Sequence, residues 1–437
     1  MPMIKCGHFF KRFLPTMKMT TYKLPLAGFI NATLVFFFTC LLVLKHGYNY
    51  TPAILSLMGV IFFIYRQLCK PKGNLTHDGN EKWFVATLLF YVLLFALSIL
   101  YHQGKIREFD NPSRILFFLT LLPLLAHYPI RFNWLLHAIP WGSLIAGITA
   151  IIHRFILNYY MAFEYQMHIQ SGDIAMSLGM FSLAISFYFF IKRQYHFGAL
   201  YFVFSLMGVF ASLLSTARGG WIGIPFVLLL ILFAYRRYLS KKFVAGFFIV
   251  LALIVTTVAM LPNTKIKERI AAAEYDIIAY FQQNNGSTSV GARFDMWKSV
   301  MLMTQEKPIF GWGVQGVSEK RKLQYEQGLI SQYAAAFNHA HNQYFDDLSK
   351  RGALGLLALL GVFLVPLRFF IWHLKSVDLE LKLVSLLGAV HIVSVMFYCF
   401  SQGFFSHNSG NIFYFFPVIV FYALVKQLSA AAENRHE

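Results

Sequence analysis

The sequence predicts an all-α integral membrane protein with about 12 transmembrane helices and one large, mainly helical loop outside the cytoplasm. Three observations carry that reading. Of 437 residues, 57% are hydrophobic and only 13% are charged, whereas soluble domains carry about 25% charged residues. Apolar runs recur along the chain near the ~20 residues that a helix needs to cross a bilayer. Basic residues are divided unequally between the connections of those runs.

The runs fall at roughly 24–44, 52–65, 83–100, 114–128, 133–152, 172–191, 198–215, 219–235, 243–261, 353–371, 381–400 and 409–426. Lipid offers no partner to open backbone polar groups, so these runs are helices. The second and fourth are short. The basic stretch before Pro25 lacks a small-residue cleavage site, so the first run reads as a retained anchor and not a signal peptide.

Orientation follows from charge. The tails and even-numbered connections hold about 21 basic residues, among them Lys5, Lys11, Arg12, Lys18, Lys70, Lys72, Lys192, Arg236, Arg237, Lys382 and Arg435. The short loops of the other side hold about six: Lys45, Lys105, Arg107, Arg114, Arg154 and Arg218. This asymmetry puts both termini in the cytoplasm and the long polar segment outside it. The formal charge of +19 then reads as topology and attraction to anionic membrane lipids, with no nucleic-acid partner. The chain divides into an N-terminal membrane part (1–261), an outer loop (262–352) and C-terminal membrane helices with a tail (353–437). Cys6 and Cys69 lie in basic flanks and Cys40 and Cys399 in apolar runs, so no structural disulfide is expected.

A loop of about ninety residues is too long for a bare connector. Residues 266–282 read as an amphipathic helix, and a polar turn, QNNGSTS, follows. Val290, Phe294, Trp297 and Met301 then form a stripe at helical spacing, a second helix. Pro308 and the glycines of FGWGVQG end it, and the stretch 317–337 is less patterned. Gly311, Gly313 and Gly316 spell G-x-G-x-x-G, but no strand–helix unit surrounds them, so they read as a turn and no nucleotide is expected.

The loop closes on NHAHNQYFDDLSKRGALG, residues 338–355. Histidine is the side chain best matched to proton transfer near neutral pH, and His341 is the candidate catalytic base. Asp346 and Asp347 are near enough in sequence to orient its imidazole. His339 and His341 form H-x-H, a spacing found in metal sites, but no third ligand is evident and no metal is expected. Arg218, in STARGGW between two apolar runs, and Arg293, on the second loop helix, are candidates for an anion site. A guanidinium fork binds phosphate oxygens bidentately and stays charged. Arg114 and Arg154 are further candidates, and His407 with Asn408 could line a site on the same side. The sequon at Asn285 carries no argument by itself. No D-x-D occurs, so paired carboxylates holding a divalent metal for sugar-phosphate transfer are not supported.

These residues resemble a known family. His341-Asn342, nine residues, then Gly352-x-x-Gly355 matches the H-[NSQ]-x9-G-x-x-G pattern of the bacterial O-antigen ligases (WaaL). SVGARFDMWKSVMLMTQEKPIFGWG is similar to the R-x-x-M-W…P-x-x-G-W-G stretch of the wider ligase and polymerase superfamily, and STARGG to its arginine-containing helix junction. The resemblance implies a GT-C-like glycosyltransferase architecture in the bacterial inner membrane, with the active site periplasmic. It implies transfer of a glycan from undecaprenyl diphosphate to the outer core sugar of lipid A–core, without cofactor, metal or nucleotide. His341 would be the general base, and Arg218 and Arg293 would bind the diphosphate. Asn342, His339, Arg114 and Trp297 are the other candidate substrate-binding residues. One-step displacement at the anomeric carbon would invert its configuration. An O-antigen polymerase, using a second lipid-linked glycan as acceptor, is the alternative. A lipid-linked glycan transporter or flippase would require ionisable residues buried along a path, whereas the charges here cluster at helix ends and in one loop.

Overall fold

The computed structural model describes residues 19–69, 79–260, 266–283 and 285–433. Expectations on Lys5, Lys11, Arg12, Lys18, Lys70, Lys72, Arg435, Cys6 and the boundary at 261–262 lie outside the described residues. The membrane helices before the loop are α1 (Met19–Cys40), α2 (Gly47–Cys69), α3 (Gly79–Tyr101), α4 (Asp110–Leu119) and α5 (Leu121–His127). Then come α6 (Phe132–Ile151), α7 (His168–Ile191), α8 (Tyr195–Leu214), α9 (Gly219–Ile222), α10 (Ile224–Tyr235) and α11 (Lys241–Met260). The loop contributes α12 (Ile266–Gln283), α13 (Ser289–Glu306), α14 (Gly313–Glu326) and α15 (Gln332–Ala335). The chain returns through α16 (Gln343–His373), α17 (Leu379–Tyr398) and α18 (Asn408–Glu433).

The fold is all-helical among the described residues, and eight of the helices are long and apolar enough to cross a membrane. Two shorter apolar runs, Pro25–Cys40 and Gly219–Tyr235, fall where spans were expected, as do α4 with α5 and α11. The protein is a multi-pass membrane protein. Two expected spans are broken, each just before a proline. Pro123 and Pro225 cannot donate to the carbonyl four residues back, and the helices part at Thr120 and Gly223. The second span is longer than its apolar run, because α2 extends into polar residues at both ends.

Polar backbone is satisfied within each helix, so packing decides position. From Gln170 to Phe189 every residue of α7 is buried, and α17 and α18 are buried over most of their length. These three form the centre of the membrane part. The loop helices build a second, smaller apolar core from Ala292, Met296, Val300 and Met303 of α13, Val317 of α14, Ala334 of α15 and Ala340. The helix expected over the second stripe is present, but its inner face is a different one. Met301 is exposed, while Phe294 and Trp297 turn sideways to Tyr280 and Phe345. The less patterned stretch contains α14, whose inward positions are Val317, Arg321 and Gln324.

A joint between the two cores lies in α16. Helix α16 is broken at Gly352, whose φ is 64° and ψ −159°. The turn after Pro308 packs into this break: Ala353 N–H donates to the Pro308 carbonyl at 2.8 Å, and Trp312 N–H to that of Ser349 at 2.9 Å. Gly311 and Gly313 have positive φ, as the expected turn requires, but the turn is shorter than expected, since α14 starts at Gly313 and contains Gly316. A Cβ on Gly352 would lie 2.2 Å from the Ile309 carbonyl oxygen. Positive φ and a backbone clash act together here, so Gly352→Ala should cost at least about 2 kcal/mol. Thermal unfolding of the detergent-solubilised variant measures this, and an unchanged melting temperature would show a joint that relaxes freely.

Candidate functional site

The residues before α16 are held from several sides. Asn342 is the helix cap: its Oδ1 accepts from Tyr344 N at 2.9 Å and Phe345 N at 3.1 Å, and its Nδ2 donates to the Phe400 carbonyl at 3.3 Å. A capping Asn satisfies amides that the helix cannot. His341, just before it, has φ 48°, uncommon for a residue with a Cβ. The backbone around it is pinned. Asp346 Oδ1 accepts from Ala340 N at 2.7 Å, and Trp297 Nε1 donates to the Ala340 carbonyl at 3.0 Å. Arg321 Nη1 donates to the carbonyls of Phe337 and His339 at 2.7 and 2.9 Å.

The His341 imidazole itself has no hydrogen-bond partner among the described residues. It lies beside the rings of His339 and Phe337, with centroids 4.3 and 5.3 Å away. Burial, then the neighbouring His339 and Arg293, push its pKa down from 6.5 to about 4, against a weaker upward pull from Asp346. The ring is therefore neutral at pH 7, with a free lone pair. His339, also lowered by burial, has Nδ1 3.2 Å from Asn338 Oδ1.

Arg293 projects from α13, half-buried. Burial and then Arg218 lower its pKa, so the two guanidiniums lie within electrostatic reach of each other. Arg293 is also within reach of His341. Neither arginine has a hydrogen bond or ion pair among the described residues. Arg218 is exposed on the turn into α9, which is moulded by close neighbours: a Cβ on Gly219 would sit 2.0 Å from Ser401 Oγ. Asp173 of α7 lies against Gly220, and its Oδ2 accepts from Gln402 Nε2 at 2.6 Å. Two unpaired cations within electrostatic reach of each other repel and suit a polyanion.

The structure thus brings together His341, His339, Arg293 and Arg218. Other expected residues have different work. Arg114 ties α4 to α18, donating to Asn111 Oδ1 at 2.8 Å and Asn408 Oδ1 at 3.0 Å. Arg154 donates to the carbonyls of Tyr159 and Tyr160 in its own loop. Asn342 is spent on its cap, and Trp297 on the Ala340 carbonyl. Asp346 and Asp347 do not touch the imidazole. Asp346 holds Ala340 N and Lys350 Nζ, the latter at 3.2 Å, while Asp347 binds Gln343 and Arg351. His407 lies within electrostatic reach of His339 and Asp346. Among the described residues no three His, Cys, Asp or Glu side chains are placed to hold a metal. Sequence reasoning missed Arg321, because α14 carries no apolar stripe to mark its inward face.

Fold and site define a multi-pass membrane protein in which a histidine and an arginine of the helical loop unit lie near an arginine of a membrane-helix junction. Residues 200–360, which span Arg218, Arg293 and His341, match the profile described as O-Antigen ligase. An uncharacterised protein of Haemophilus influenzae is 41% identical over 392 residues, covering 90% of this chain and 97% of that protein. The chain belongs to the O-antigen ligase family, within a superfamily of membrane glycosyltransferase-like ligases and polymerases.

The arginine pair has a direct test. Inorganic pyrophosphate at low ionic strength should raise the melting temperature, by the equivalent of about 2.7 kcal/mol at a hundredfold excess over Kd. Arg218→Gln and Arg293→Gln should each lose most of that shift. An undiminished shift in the double variant would remove the pair from anion binding.

Proposed function

We propose that this protein is an O-antigen ligase of the bacterial inner membrane. It moves a glycan from undecaprenyl diphosphate onto the outer core sugar of lipid A–core at the periplasmic face. The observation that carries the reading is the unpartnered, neutral His341 within electrostatic reach of Arg293, itself beside Arg218. In this reading the chain works as a membrane part (1–261), a periplasmic unit (262–352) and a C-terminal membrane part (353–437), with GT-C-like architecture and both termini cytoplasmic.

The step is a single displacement. His341 takes the proton of an acceptor sugar hydroxyl as that oxygen attacks the anomeric carbon, a contribution of about 10²–10⁴-fold. The bond from that carbon to the diphosphate oxygen breaks with inversion. Arg218 and Arg293 stabilise the charge that develops on the leaving group. No nucleotide enters. Trp297, Asn342 and His339 act by shaping the loop that presents His341, and Arg114 acts by joining α4 to α18.

A pKa of about 4 makes His341 a weak base in the empty site. A bound diphosphate offsets Arg293, so the pKa rises on donor binding. The acid limb of kcat/KM, which reports the free enzyme, should therefore lie below that of kcat, which reports the complex. A kcat limb at or below the kcat/KM limb would break this link. The lowered pKa also gives a stability sign. The unfolded chain, with His341 at its ordinary 6.5, binds more protons than the fold between that value and about 4. Stability from this group is complete above pH 6.5 and is lost as pH falls toward 4.

The deciding assay uses purified protein with undecaprenyl-diphosphate-linked glycan, lipid A–core and a chelator. Transfer to lipid A–core is expected, with inversion, and none with His341→Ala. Arg218→Lys and Arg293→Lys should also be poor, since a point charge lacks the bidentate fork. Longer lipid-linked chains with lipid A–core untouched would instead identify a polymerase.

A further inference from the structure

Arg321 is the largest fully buried side chain of the protein among the described residues. A buried guanidinium is costly unless an acid pairs with it, yet it has no such hydrogen-bonded partner. Its Nη1 grips the carbonyls of Phe337 and His339, while Nε and Nη2 are buried with no partner among the described residues. The nearby carboxylate, Asp346, accepts from Ala340 N through Oδ1, its Oδ2 forms an ion pair with Lys350 but no hydrogen bond, and it attracts Arg321 only at a distance. Keeping two of its nitrogens buried without a partner costs stability.

What the arginine does is hold the strained segment that ends in His341. Its two carbonyls bracket residue 338, and the second lies two residues before His341. The other clamps act on Ala340 alone, from Asp346 and Trp297. Without Arg321, residues 337–339 keep no side-chain tether from α14.

We propose that Arg321 is a positioning residue: from α14 it fixes the 337–341 backbone so that His341 is presented to the arginine pair, and it adds one cation to the groups that face that imidazole. The inference rests on the function proposed above. The charged or titratable groups facing His341 are His339 in the same loop, Arg293 on α13, Arg321 on α14 and Asp346 on α16. Removing the Arg321 cation takes away one of the three charged or titratable groups that, after burial, oppose protonation, the weakest of them.

Two variants separate grip from charge. Arg321→Met removes both, and Arg321→Lys keeps the charge without the planar fork. Glycan transfer is measured on full-length protein in detergent. A second readout needs no turnover: carbethoxylation of His341 by diethyl pyrocarbonate, followed by peptide mass spectrometry across pH, tracks the neutral imidazole. Arg321→Met should lose about 100-fold in kcat, as misplacement of a reacting group does, with donor KM nearly unchanged. Its labelling midpoint should move to higher pH. Arg321→Lys should lose at least about tenfold in kcat with the midpoint at the wild-type value. Folded Arg321→Met protein with wild-type kcat, or with an unmoved midpoint, would overturn the proposal. If the wild type itself transfers nothing, the ligase reading fails, and the midpoint alone decides the role of Arg321.

Discussion

The site depends on a short backbone segment that would not hold its shape alone. A left-handed residue with a side chain costs about 1–3 kcal/mol, and surroundings must over-determine it for it to persist. Around His341 they do. Helix α13 holds the Ala340 carbonyl through Trp297, α14 holds two earlier carbonyls through Arg321, and α16 holds the Ala340 amide through Asp346. Hydrogen bonds to charged groups contribute about 1.5–3 kcal/mol each, so three such bonds outweigh the strain. What emerges is an imidazole whose backbone is fixed while its ring stays unbonded.

That rigidity reaches the membrane part through a second short segment, the connection between α17 and α18. Gln343 N–H donates to the Cys399 carbonyl at 2.8 Å, and Phe405 N–H to Gln343 Oε1 at 2.9 Å. Asn342 grips Phe400 from the same place. Next along the chain, Ser401 lies against Gly219, and Gln402 binds Asp173. The turn carrying Arg218 and the cap following His341 are thus fastened to one stretch of about seven residues. Arg218 and His341 are far apart in sequence, and this stretch sets their separation. Glycine at 219 is what allows Ser401 so close.

The membrane helices were legible because lipid leaves the chain no choice: apolar runs of sufficient length must be helical. Loop helices α12 and α13 were legible from amphipathic spacing, although the core face of α13 is the adjacent one of Ala292, Met296, Val300 and Met303, and the stripe only borders it through Trp297. Helix α14 was hidden because its buried positions, Val317, Arg321 and Gln324, alternate an apolar residue with polar ones, which defeats any hydrophobic periodicity. His341, Arg218 and Arg293 stood out by residue type and motif. The work of Arg114 did not, since its partner Asn408 is 294 residues away. Asn342 carried a readable cap signal, a short polar side chain just before an apolar helix with acid in its first turn. The H-N motif drew it toward substrate instead. Asp346 looked like an imidazole partner from its spacing, but α16 turns it back onto the Ala340 amide.

Positive charge dominates what remains. Arg293 and Arg321 face imidazoles that burial already holds unprotonated, Arg218 lies within electrostatic reach of Arg293, and Asp346 is the carboxylate facing the imidazoles. A preorganised cationic site of this kind is strained by its own repulsion until an anion arrives. Under the proposed reaction that strain has a consequence for fidelity. The same field that prepares the site for a diphosphate weakens His341 as a base while the site is empty. Neither water nor a sugar hydroxyl is then activated without the donor in place. Once the diphosphate neutralises the arginines, the imidazole regains basicity beside the bond that must break. In the proposed reaction the arginines would therefore both bind the leaving group and time the base, so that activation of the nucleophile follows donor binding.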